Sequence, residues 1–269
     1  MNADTAERTA EKLLRTAPPD YDCVTGNVAA LLALHDIDPD RLLGGYFCAA
    51  PASGPGGELS FAGIGAGQLE RATAAGAVRI HAGEGPGPDT AAALVAIGDA
   101  YAMPWTPYAG QKHIEHGFLV LGTDLAFDPY RTITEFGAAV PTVITEPDRR
   151  AATITRHLKV EVIDPGACAA EPVSHTDPDA TAEYRERLRG GTLTLDQLAL
   201  DTWLLARARR VNDRYRPGLL AESIEAWTRA SEVVYLALRR AKRGRSVPAT
   251  YIDAVAAALD VDADVAGRW

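Results

Sequence analysis

Cys23, His116 and Asp128 are the residues whose types and order could do covalent chemistry. Cys23 stands at the first turn of Tyr21-Asp22-Cys23-Val24-Thr25-Gly26-Asn27-Val28-Ala29-Ala30-Leu31-Leu32-Ala33-Leu34. Pro18 and Pro19 end whatever precedes it, and Asp20 and Asp22 are good helix caps. Val24, Val28, Leu31 and Leu32 recur at helical spacing with alanines between them. A helix apolar nearly all round is expected to be buried. A cysteine at the positive end of its dipole sits where a thiolate is favoured. The same residue also fits the plainer role of a small buried hydrophobe.

A nucleophilic cysteine needs a base that activates it and later protonates the leaving group. His116 opens a clear strand, His116-Gly117-Phe118-Leu119-Val120-Leu121-Gly122. Thr123-Asp124 makes a turn, Leu125-Ala126-Phe127-Asp128 returns, and Pro129 stops it, which reads as a β-hairpin. Paired strands lie about 5 Å apart. An acid at the end of one can therefore fix the tautomer of a histidine at the start of the other. His113, on the approach loop, is the rival base; His116 is preferred because a strand fixes its direction. The oxyanion of an acyl intermediate would need the Cys23 N–H and a second donor. Asn27, one turn on, is a candidate for that donor, or it bonds the neighbouring backbone. Tyr21, Asp99, Tyr101 and Tyr108 are further candidates to line a substrate or oxyanion site, with Trp105 as a possible wall.

Cysteine, then histidine at a strand start, then aspartate beyond the next strand is a papain-like order. The chain resembles the papain-like acyltransferase family typified by the N-terminal domain of butirosin biosynthesis protein H. Four pieces carry the resemblance: Cys23-Val24-Thr25-Gly26-Asn27; the glycine-rich region from Gly44-Gly45 to Gly67; Ile97-Gly98-Asp99-Ala100-Tyr101-Ala102-Met103-Pro104-Trp105; and His113-Ile114-Glu115-His116-Gly117-Phe118-Leu119-Val120-Leu121-Gly122, running on to Phe127-Asp128-Pro129. The resemblance implies an α+β papain-like fold, a nucleophile helix packed on an antiparallel sheet. It implies Cys23 as nucleophile, His116 as base and acid, and Asp128 as orienting carboxylate. It implies a thioester taken from an acyl carrier protein or other thioester donor and passed to a small-molecule or peptidyl amine in natural-product biosynthesis, with no cofactor. One departure stands out: papain-like peptidases carry a Gln shortly before the cysteine, and here Asp20, Tyr21 and Asp22 precede it. That weakens a peptidase reading more than a transferase one, because a thioester is easier to cleave than an amide. A hydrolase or cyclase with the same triad (thioesterase, amidase or peptidase, ring-closing enzyme) stays open. So does a catalytically silent scaffold that binds a biosynthetic partner.

The 269 residues suffice for one large or two modest domains. The pattern predicts a catalytic α+β domain over residues 1–165. A linker containing prolines and acids follows, and then a helical domain over 175–269, with helices at 180–189, 194–215, 219–243 and 248–259. At the start of the chain, Ala6–Arg15 reads as an amphipathic helix with Leu13 and Leu14 facing the body. Ala91–Gly98 could be strand or helix. Three cysteines, Cys23, Cys48 and Cys168, form no paired framework, which suits a reducing cytoplasm. The N-terminal residues do not read as a signal peptide, and no apolar run is long enough to span a bilayer.

Net charge is −9, yet Leu204–Arg245 holds eleven Arg or Lys against four acids. The acidic whole argues against general nucleic-acid binding. The basic stretches Arg207–Arg216 and Arg239–Arg245 could meet an acidic carrier, or simply be a solvated helix face. No histidine spacing suggests a metal site. The helical tail could pair as a homodimer.

Overall fold

The computed structural model describes residues 3–54, 57–87, 93–123, 125–164 and 171–269. Cys168, Asp124 of the hairpin turn, and the first two residues of the Ala91–Gly98 segment lie outside the described residues. In chain order the elements are α1 (Ala3–Thr16), α2 (Thr25–Leu34), α3 (Pro39–Leu43), β1 (Tyr46–Cys48), β2 (Ala52–Ser53), β3 (Leu59–Ser60), α4 (Ile64–Ala74), β4 (Val78–Glu84) and β5 (Ala93–Asp99). There follow β6 (Glu115–Leu121), β7 (Leu125–Asp128), β8 (Thr132–Thr134), β9 (Gly137–Ala139), β10 (Thr142–Ile144), α5 (Glu146–Ala151), β11 (Ile154–Val162) and β12 (Val173–His175). Four helices close the chain: α6 (Pro178–Arg189), α7 (Leu195–Tyr215), α8 (Ala221–Lys242) and α9 (Thr250–Ala266). The fold is α+β, with an antiparallel sheet and a C-terminal helical region.

Two compact units divide the chain: Met1–Leu42 with Leu69–Ala170, and Leu43–Gln68 with Glu171–Trp269. The single cut expected between residues 165 and 175 therefore becomes several, because an early segment joins the helices. Buried polar groups explain why. Asp201 on α7 accepts from Ser60 Oγ at 2.6 Å, from the Phe61 N–H at 2.9 Å and from Tyr184 Oη at 2.9 Å. Arg209 Nη2 donates to the Cys48 carbonyl at 2.6 Å, and Asn212 Nδ2 to the Gly44 carbonyl at 2.6 Å. Arg209 is fully buried and pairs with Asp262 of α9 through Nε at 3.0 Å, its guanidinium stacked over Phe47 at 3.9 Å. Trp227 Nε1 and Ser223 Oγ complete the ring around Asp262. Arg207 is buried too, over the Trp203 ring at 4.6 Å. So Arg207–Arg216 is not a continuous basic face: Arg207 and Arg209 point inward, and the exposed basic cluster is Arg240, Lys242, Arg243 and Arg245. Trp227 is fully buried, whereas Tyr235 is exposed.

In the other unit, six strands pair in the order β10-β7-β6-β5-β11-β4, every pair antiparallel. The described part of the Ala91–Gly98 run lies in strand β5, buried on both faces, which is why it shows no alternation. One face carries Leu94, Ala96, Phe118, Val120, Ala126 and Ile144, covered by Met103 and Trp105. Helix α2 packs against β5 and β6, and residues Thr25 through Leu32 are buried, as an all-apolar helix requires. Leu13 of α1 is fully buried, but Leu14 is exposed rather than facing the body. Among the described residues no helix is long and apolar enough to cross a membrane.

Candidate active site

Cys23 lies in the turn that enters α2, half-buried and with a free thiol. Asp22 builds that turn. Its Oδ1 accepts from the backbone N–H groups of Val24 and Thr25, both at 2.8 Å, and its Oδ2 from Thr25 Oγ1 at 2.8 Å. Asp22 is thus the working cap. Asp20 instead takes a left-handed backbone, φ 71°, which a short polar side chain tolerates better than most. Asn27, fully buried, donates Nδ2 to the Cys23 carbonyl at 2.5 Å. It ties the Cys23 backbone to the next helical turn.

The sheet approaches Cys23 through a glycine. A Cβ on Gly117 would meet the Cys23 carbonyl oxygen at 3.2 Å, Val95 at 3.4 Å and Val24 at 3.5 Å. This close contact sets the preceding residue, His116, at the mouth of β6 beside the helix start. His116 is buried, and its Nε2 lies 2.7 Å from Asp128 Oδ2. That bond leaves Nδ1 as the ring nitrogen for the Cys23 sulfur, with which the imidazole also hydrogen-bonds. Burial alone would strip the ring's proton. The Asp128 charge, the Asp128 hydrogen bond and the Cys23 sulfur outweigh it, and His116 is pushed up to about 10. The ring therefore holds its proton at neutral pH.

Asp128 closes β7, and three donors fix its carboxylate. Besides His116, Trp105 Nε1 donates to Oδ2 at 3.0 Å and the Tyr130 N–H to Oδ1 at 2.9 Å. Trp105 packs edge-on against Phe118, ring centres 5.2 Å apart. Tyr130 sets its ring against His116 at 5.1 Å. Tyr130 escaped the sequence reading, and Trp105 was noted only as a wall. No spacing rule points from either residue to Asp128; the nearest signal is a tyrosine just past the Pro129 that ends the strand.

The remaining candidates separate. Tyr108, half-buried, shares a hydrogen bond with Tyr130 and lies within electrostatic reach of Cys23. Tyr21 is buried, and its hydroxyl donates to Asp40 Oδ1 at 2.7 Å. Asp99 and Tyr101 gather around His113 instead. His113 Nδ1 is 2.6 Å from Asp99 Oδ2, and Tyr101 stacks on its ring at 4.2 Å. The His113 hydrogen bond, with the Tyr101 N–H behind it, holds the Asp99 carboxyl below its ordinary range. His113 is thus turned toward Asp99 at the exposed end of β5, and His116 is the histidine that meets Cys23. An open groove of about 560 Å³ lies at the other end of α2 and the sheet, beside Leu31, Leu34, Ala93 and Leu121. It is remote from the Cys23 turn.

The arrangement can hold a sulfur nucleophile against a protonated imidazole whose far nitrogen is fixed by a carboxylate. That is the set needed to attack a carbonyl and protonate its leaving group. Compared with models of known protein families the chain matches none, and it matches no curated protein.

Proposed function

We propose that the chain is a papain-like cysteine acyltransferase. The observation that carries this reading is the His116 ring, held at Nε2 by Asp128 and bonded on its other side to the Cys23 sulfur. In the first half-reaction the Cys23 thiolate attacks the carbonyl of an acyl thioester. A tetrahedral oxyanion forms and collapses, the donor's carbon–sulfur bond breaks, and His116 gives its proton to the departing thiolate. Cys23 now carries the acyl group as a thioester. In the second half-reaction an amine attacks that carbonyl and His116 takes the amine's proton. The Cys23–carbon bond breaks, restoring the thiolate–imidazolium pair and releasing an amide. Asp128 keeps the ring oriented throughout.

The donor is an acyl carrier protein or another acyl thioester, and the acceptor a small-molecule or peptidyl amine. The exposed cluster Arg240, Lys242, Arg243 and Arg245 suits an acidic carrier. Charge reversal there is expected to raise the apparent KM for carrier-bound donor and leave a free thioester mimic unaffected; equal effects on both remove the docking role.

The test is thioester turnover with and without an added amine. Amide product that needs both amine and His116 is the expected result. Donor loss at the same rate without amine would make the protein a hydrolase or cyclase using the same residues.

A further inference from the structure

We propose that the Tyr108 hydroxyl donates the second hydrogen bond to the acyl oxyanion, beside the backbone N–H of Cys23. The assignment rests on the acyl-transfer reading and adds the group that stabilises its intermediate.

The argument is an inventory of donors around Cys23. The N–H groups of Val24 and Thr25 are taken by the Asp22 carboxylate. Those of Gly26 and Asn27 are bonded to the backbone carbonyls of Asp22 and Val24. The Asn27 amide donates to the Cys23 carbonyl, and the Tyr21 hydroxyl to Asp40. No Gln precedes the cysteine. At the turn, among the described residues, the Cys23 N–H remains, and the Tyr108 hydroxyl group lies within electrostatic reach of the Cys23 sulfur.

A run of contacts leads from Cys23 to Tyr108. Cys23 meets His116, the His116 ring meets Tyr130, and Tyr130 bonds Tyr108. Phe136 braces the far side of Tyr108, ring centres 6.2 Å apart. A phenol has one proton to give and two lone pairs to receive. Where Tyr130 donates to it, its own proton is free for an outside acceptor. Burial pushes the Tyr108 phenol above its ordinary value, so it keeps that proton at neutral pH. A half-buried neutral phenol beside a site where negative charge develops can do the work of an oxyanion-hole donor.

The test compares two reactions of the same sulfur. Acylation by a thioester builds an oxyanion; alkylation by iodoacetamide does not. In Tyr108→Phe, single-turnover acylation of Cys23 is expected to fall by roughly 100-fold, the cost of one such donor, with alkylation within twofold of wild type. Tyr130→Phe, which leaves Tyr108 in place, is expected to show a smaller loss of acylation and unchanged alkylation. Unaltered acylation in Tyr108→Phe overturns the assignment. So does an equal fall in both reactions, which would place Tyr108 in the packing of the thiol. A wild-type protein that alkylates but accepts no acyl group contradicts the acyl-transfer reading itself, a result distinct from either.

Discussion

Trp105 Nε1 and His116 Nε2 meet on a single oxygen, Asp128 Oδ2, at 3.0 and 2.7 Å. The carboxylate is thereby held from two directions in a buried place. Trp105→Phe keeps the packing on Phe118 but removes one bond to a charged acceptor, a loss of about 1.5–3 kcal/mol. Turnover is expected to drop about tenfold or more if Asp128 must stay aligned, and Tm to fall by several degrees. Steady-state kinetics beside a thermal melt checks this; unchanged turnover would make Trp105 a packing residue only.

His116 also gives stability a pH dependence. Its folded value, about 10, lies above the ordinary 6.5, so between those values the folded state binds more protons than the unfolded. The stabilisation is fully present below about 6.5 and is lost as pH rises through about 10. Urea unfolding from pH 6 to 10 is expected to show a fall in wild type that is absent in His116→Gln. Parallel curves would show that His116 does not hold its proton in the fold.

Gly117 is a point of close approach between the sheet and the Cys23 backbone. Gly117→Ala puts a methyl 3.2 Å from the Cys23 carbonyl, so the turn must give by a few tenths of an ångström. Displacements near 1 Å can cost about 100-fold in rate, so a loss of about tenfold in Cys23 acylation is expected. Far-UV circular dichroism should stay unchanged.

In the helical unit the prediction concerns stability alone. Asp262→Ala leaves Arg209 buried without its counter-charge and frees Trp227 and Ser223. A loss of about 3–5 kcal/mol is expected, read by chemical denaturation. A change below about 1 kcal/mol, the range of exposed pairs, would mean Arg209 finds another partner.

Helix α2 and the β6–β7 hairpin follow from local pattern, because each buries a continuous apolar run whose ends are marked by Asp22 or Pro129, whereas strand β5, buried on both faces, shows no alternation and leaves strand and helix open. His116 and Asp128 could be paired on paper since a hairpin is a short-range object. Trp105 could not be given its bond to Asp128, because that bond joins a bend to a strand end across twenty-three positions. The place of residues 43–68 was equally hidden. It depends on Asp201, Arg209 and Asn212, polar residues inside a helix that reads as basic and solvated until their buried partners are known. The same burial explains why Arg207–Arg216 looked like a charged face and is not one.

The central claim is that Cys23 carries an acyl group. Intact-protein mass after brief mixing with a panel of acyl thioesters tests it most directly, with wild type beside Cys23→Ala. A mass gain of one acyl group on wild type alone, removed on adding an amine, is the predicted result. The same gain on Cys23→Ala, or no gain and no donor consumption across the panel, would contradict it.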